Sequence, residues 1–116
     1  MSLFELKFEA ENIHTSLDRR ENYRMVGFSN DSYVYKNYVI LQRAICSSSQ
    51  DHSIYLEWNG NVCTNTIHKA TLSFHLFTIE FNSTRIIVDL SNVSLDLKII
   101  NYLESILGNL LEIKMM

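Results

Sequence analysis

Apolar and polar residues alternate through much of the first ninety positions, and the period then lengthens to that of a helix. Residues 4 to 10 set the pattern. Phe4, Leu6, Phe8 and Ala10 share one parity, with Glu5, Lys7 and Glu9 on the other, which predicts a half-buried strand. Residues 11 to 22 are polar, end in Asp18-Arg19-Arg20-Glu21-Asn22, and read as a loop before a second strand from Tyr23 to Ser29. Tyr38 to Ile45 is apolar at both parities, as in a central strand covered on both faces. A polar loop, Ser47 to His52, leads to another strand, Ser53 to Trp58. Asn59-Gly60 then marks a turn, because both residues accept positive φ. Ile67 to Phe74 and Leu76 to Phe81 read as two further strands. Asn82-Ser83-Thr84 turns the chain into Arg85 to Leu90.

Beyond that point Ile99, Ile100, Leu103, Ile106 and Leu107 recur at helical spacing. Ser94 is the expected N-cap, Asp96 sits near the positive end of the helix dipole, and Gly108 is placed to end the helix. Leu110, Leu111 and Ile113 either continue the helix or form a docked tail. Strands first and one late helix predict an α+β fold in a single domain, residues 1–116. Its sheet is mainly antiparallel, with the C-terminal helix packed on one face. The chain has no proline and three glycines, so its turns must be built from Asn, Asp and Ser.

Composition narrows the class. At 116 residues with 47% hydrophobic and 20% charged residues, the chain is long enough for one real core and too apolar for disorder. A net charge of −3 without a Lys/Arg cluster argues against nucleic-acid binding. No apolar run approaches the length that spans a bilayer, and Met1-Ser2-Leu3-Phe4-Glu5 has neither a basic region nor an apolar core of a signal peptide. A cytosolic protein is expected, with Cys46 and Cys63 as reduced thiols rather than a disulfide framework.

Few residues suggest chemistry. Cys63, His68 and His75 are too loosely spaced for a metal site, and 68 and 75 would face opposite ways on one strand. Cys46 and His52 lack the helix N-terminus or glycine-rich turn that activates a thiol. No closely spaced carboxylate pair and no phosphate-cradling glycine loop is present. No catalytic residue, metal ligand or cofactor is expected. If the strands around the 47–52 loop pair with positions summing to about 100, Arg43 faces Glu57 as a cross-strand ion pair. The core face is then that of Tyr38, Ile40, Gln42, Ala44, Ile54, Leu56 and Trp58. Gln42, Arg43, Asp51 and Glu57 either fix sheet geometry or face a partner. In the segment from Asn30 to Asn37, Tyr33 and Tyr35 either cover the sheet edge or wait for a partner.

The order Phe8 and Ala10, Val26-Gly27-Phe28-Ser29, Tyr38-Val39-Ile40-Leu41-Gln42-Arg43, Gln50-Asp51, Tyr55-Leu56-Glu57-Trp58-Asn59-Gly60 resembles the Immunity protein 10 family over roughly residues 8 to 107. These are small antidotes encoded beside bacterial polymorphic toxins. The chain departs from the family at Val62-Cys63-Thr64-Asn65-Thr66, where a Tyr- or Gly-containing segment is expected. The resemblance implies a non-catalytic protein that covers a cognate toxin domain. Asp31, Tyr33, Tyr35, Arg43, Asp51 and Glu57 are the candidate partner-binding residues. Asp31, Asp51 and Glu57 would mimic phosphate if the toxin is a nuclease. A standard interface of about 800 Å² per partner is within reach of a domain this small. The alternative is a small dimeric secretion chaperone or adaptor holding a client segment by strand addition, and an exposed edge strand also allows a homodimer.

Overall fold

The computed structural model describes residues 4–30, 36–45 and 53–114. Among them, ten strands form two five-stranded sheets. The first sheet has the order β1 (Phe4–Glu9), β9 (Thr84–Asp89), β8 (Leu76–Phe81), β7 (Ile67–Ser73), β10 (Leu111–Lys114). The second is an antiparallel meander of β2 (Asn12–Asp18), β3 (Tyr23–Ser29), β4 (Tyr38–Ala44), β5 (Tyr55–Trp58) and β6 (Asn61–Thr64). One helix, α1 (Leu97–Leu107), follows the strands. The fold is α+β and mainly antiparallel, as the sequence predicts. Two pairings are parallel: β1 with β9 and β10 with β7.

One segment read as a loop and one given no element are strands. Residues 12–18 pair along all of β3, from Asn12 with Ser29 to Asp18 with Tyr23. Ile13 and Leu17 are the only large apolar residues in that stretch, so period-2 patterning is faint, and the pairing comes from the neighbouring strand. Asn61–Thr64 pairs with β5 across the Asn59-Gly60 turn, where both residues have positive φ (46° and 86°). The C-terminal segment is neither helix nor loose tail. After a 3₁₀ turn, Gly108–Leu110, it adds β10 to the edge of the first sheet.

The two sheets bury their inner faces in one core. Phe8, Ala10, Ala70, Leu72, Phe77, Ile79, Phe81, Ile86 and Val88 come from the first sheet. Val26, Phe28, Val39, Leu41 and Leu56 come from the second, and Ile99, Leu103, Ile106 and Leu107 from the helix. Phe28 and Phe77 meet across the layers with ring centroids 5.2 Å apart. Trp58 stands edge-on to Phe81 at 6.2 Å and against Phe4 at 5.7 Å, closing the end of the core where Phe4 becomes exposed. In β7 the pairing slips between Ile67 and Lys69, and this bulge lets odd-numbered Ile67 and even-numbered Ala70 and Leu72 all point inward.

The turns follow from the shortage of glycine. Among the described residues four non-glycine positions have positive φ, and all are asparagines: Asn22, Asn59, Asn65 and Asn82. Asparagine tolerates this region because its short amide bonds nearby backbone. Asn65 shows how. Its Oδ1 accepts from Ile54 N at 2.9 Å, its own N–H donates to Ile54 O at 2.9 Å, and its Nδ2 donates to Ser53 Oγ at 3.1 Å.

The helix begins two residues later than Ser94 suggests. Asp96 is the N-cap, with extended backbone and Oδ1 accepting from Ile99 N at 2.9 Å. Ser94 lies outside the helix, because Leu95 is needed against the core. Gly108 ends the helix with φ 55° and donates its N–H to Glu104 O. Asp96→Ala is expected to cost about 1 kcal/mol in urea unfolding, the usual value of an N-cap. Ser94→Ala should leave the midpoint within experimental scatter.

Candidate binding face

Pairing in the second sheet decides which residues the solvent sees. β4 and β5 pair with positions summing to 97: Val39 with Trp58, Ile40 with Glu57, Leu41 with Leu56, Gln42 with Tyr55. This is an odd shift from the register expected from the loop, so the face of β4 is inverted, while Ile54, Leu56 and Trp58 point inward as expected. Val39, Leu41 and Leu56 are the buried face, while Tyr38, Ile40, Gln42 and Ala44 turn outward with Tyr55 and Glu57. Burial of Leu41 opposite Leu56 sets the pairing.

The Arg43–Glu57 ion pair therefore does not exist. Arg43 lies on the inner face opposite Arg24 of β3. Its Nη1 donates to Ile106 O at 3.0 Å, bringing a cation to the carbonyl end of a helix that has no basic residue in its last turn. Arg24 lies over the Tyr102 ring, 5.2 Å from its centroid. Two like charges placed side by side are held apart by separate partners on the helix. Arg43 thus ties β4 to the end of α1.

Glu57 faces outward and holds a local network. Tyr38 Oη donates to Glu57 Oε2 at 2.6 Å and accepts from Gly60 N at 2.9 Å. Tyr55 Oη lies 3.5 Å from Oε1. Asn59 Oδ1 accepts from Tyr38 N at 2.8 Å, and Asn59 Nδ2 donates to Asn37 Oδ1 at 3.0 Å. Asn37 N donates to Asn30 Oδ1 at 2.9 Å, and Asn30 N donates to Asn37 O at 3.0 Å. The β5–β6 turn is thus tied to the start of β4 and to both ends of the 30–37 connection. Asp31, Tyr33, Tyr35 and Asp51 lie outside the described residues, as does Cys46.

Across the sheet, Met25, Gly27 and Ser29 of β3 share the outward face with Tyr38 and Ile40. Gly27 has no side chain between His14 on β2 and Ile40 on β4, and the gap is a depression of about 410 Å³. Met25, Gly27, Ile40, Tyr38 and Glu57 line it. Ser29 lines it too, 3% exposed, with its Oγ unpartnered among the described residues. A second, more polar hollow of about 320 Å³ lies beside it, bordered by Tyr23, Gln42, Tyr55 and Thr64. The sequence gives one sign of this face: Gly27, a lone glycine inside an otherwise apolar strand, which leaves room for another surface.

The outer face of the first sheet is different. Arg85 lies between Glu80 at 3.0 Å and Glu5 at 3.5 Å, and Lys7, Lys69 and Glu112 complete a charged surface. Cys63 is half-buried, with Thr66 Oγ1 3.1 Å from its Sγ. His75 sits in the turn after β7, edge-on to Phe74, away from Cys63 and His68. Among the described residues no three His, Cys, Asp or Glu side chains gather as a metal site would require, and no helix is long and apolar enough to cross a membrane.

No protein-family model matches the chain, and no curated protein or solved structure is significantly similar to it.

Two solution experiments test this geometry. Arg43→Met should lower stability by about 1.5–3 kcal/mol, the usual worth of a charged hydrogen bond. Combined with Glu57→Gln in a double-mutant cycle, the two losses should add, because the groups share no contact. Coupling would restore the ion pair. The Tyr38 phenol is held above its ordinary value of 10.0, first by donating to the Glu57 carboxylate and then by burial, with the Gly60 N–H opposing. A raised phenol stabilises the fold fully below pH 10, and that contribution is lost as pH climbs through the raised value. The stability difference between the unsubstituted protein and Tyr38→Phe should accordingly shrink in urea titrations above pH 10.

Proposed function

We propose that this chain is an immunity protein of the polymorphic-toxin kind, which binds one cognate toxin domain in the cytosol and blocks it by covering it. The observation that carries this is the contrast between the two solvent-facing sheet surfaces. One is a solvated lattice of paired charges. The other presents Met25, Tyr38 and Ile40 around a depression, with Tyr23 and Tyr55 at the adjoining hollow, on a rigid five-stranded meander.

Protein interfaces differ from other surface in that way: their centres are depleted of most charged residues and enriched in Tyr and Met. Tyrosine adds broad contact area at low conformational cost, and here the Glu57 and Gly60 contacts already hold the Tyr38 hydroxyl. The order of segments that resembles the Immunity protein 10 family runs through β3, β4 and β5, the strands that build this face. Inhibition would need no chemistry from the chain. The covering surface excludes substrate from the toxin, and Glu57, at its edge, adds a negative charge for a basic partner.

A dimeric chaperone would use a strand edge instead, taking an extended client along β2 or β6. Substitutions on the sheet face and at its edge separate the two mechanisms.

The test is co-expression with the domain encoded immediately upstream. The chain should rescue growth. Met25→Glu or Ile40→Glu should abolish rescue while shifting the thermal midpoint little, because both positions are outward-facing. Rescue that survives both substitutions, or that fails only in proportion to lost stability, would refute the assignment of this face.

A further inference from the structure

We infer that the depression over Gly27 is a socket for one arginine side chain of the partner, its stem lying across Gly27 and Ile40 and its guanidinium on the Glu57 carboxylate. This rests on the proposed function and specifies the partner's anchoring group.

Gly27, Ile40 and Glu57 occupy one cross-strand row on β3, β4 and β5. With neighbouring strands about 4.8 Å apart, the row from Gly27 to Glu57 spans about 10 Å, a length that suits a long side chain lying flat. Its floor is apolar: Gly27 backbone and Ile40, with Met25 alongside. Its far end is anionic. Glu57 forms no ion pair among the described residues, where the carboxylates of Glu5, Glu80 and Glu112 do.

Each Glu57 oxygen receives one tyrosine hydroxyl, Tyr38 at 2.6 Å and Tyr55 at 3.5 Å. A carboxylate offers about four acceptor sites, so two remain for a forked donor. The two tyrosines lie beside the carboxylate through their hydroxyls, and a planar guanidinium both forks onto a carboxylate and stacks on aromatic faces more readily than an ammonium. Ser29 is the second sign of a missing group. Its Oγ is buried at 3% exposure, unpartnered among the described residues, and lines the same depression. A buried hydroxyl without a partner is costly, and a donor from the bound segment satisfies it. A volume of about 410 Å³ leaves room for one long side chain. The chain's net charge of −3 favours the same partner.

The test needs no toxin. N-acetyl-arginine amide is titrated into the isotopically labelled full chain, with N-acetyl-citrulline amide as the uncharged equivalent, while backbone amide resonances are followed. The arginine compound should move Gly27, Ser29 and Ile40 saturably, and citrulline should bind roughly tenfold more weakly, the loss of one charge-assisted contact. Glu57→Gln, which still accepts from Tyr38, should erase the difference between the two compounds. Gly27→Val should remove both responses. A Cβ at position 27 meets only ordinary contacts, 3.6 Å from Ile40 Cγ1 and 3.8 Å from Val39 O, so its fold should survive. Equal responses to arginine and citrulline, responses confined to the first sheet, or no response at all would overturn the socket. Loss of the socket leaves the immunity function standing on co-expression. A socket that responds in a chain protecting against no lethal domain would stand while that function falls.

Discussion

Leu41 paired with Leu56 is the contact on which the second sheet depends. Side chains alternate along a strand, so this one pairing assigns a face to every residue of β4, β5 and β6. It puts Val39 and Leu41 in the core, aims Arg43 at the helix, and leaves Tyr38, Ile40 and Glu57 outside. Fully burying a leucine contributes about 1.5–3 kcal/mol. A slip by one residue would exchange several such residues for a carboxylate and an amide. The register is fixed by that difference, and the polar face is its consequence.

Rigidity of that face has a separate origin. In a chain with three glycines and no proline, asparagine amides bind the turns to their neighbours. Asn59, Asn37 and Asn30 link the β5–β6 turn to the ends of the β3–β4 connection. The Tyr38 hydroxyl ties the same turn to Glu57. On the opposite side the helix is clamped at both ends, by Asp96 at its start and by Arg43 near its finish. Tyr38 and Glu57 on the outer face are thus held in place within the chain itself, and groups fixed in this way lose less entropy in any association.

Much of this was legible in the residues themselves. Alternation marked β1, strand-like runs bounded by turn residues marked β3 and β9, and the helical period marked α1 with Gly108 at its end. Asparagine abundance announced the turns. What stayed hidden depends on partners distant in sequence. Residues 12–18 have weak alternation and become a strand only because β3 offers its edge. β10 exists because β7 does. Tyr38 to Ala44 is apolar at both parities, so its inward face is decided by β3 and β5 together rather than by its own pattern. The error over Arg43 follows directly: symmetry about the 47–52 loop predicted a partner in Glu57, whereas the packing gave it a helix carbonyl. Glu57 remained an outward-facing candidate, and Gly27 and Ser29 acquired meaning only when β3 was seen beside β4.

The central claim is that one face of the meander, and not the charged face of the other sheet, meets a folded partner. Oxidative footprinting of side chains measures this most directly, comparing the free chain with its complex with the upstream-encoded toxin domain. Met25, Tyr38 and Tyr55 should become protected, with Ile87 on the outer face of the first sheet and Phe74 in the turn after β7 unchanged. Protection of Ile87 and Phe74 with Met25 and Tyr55 still reactive would contradict the account.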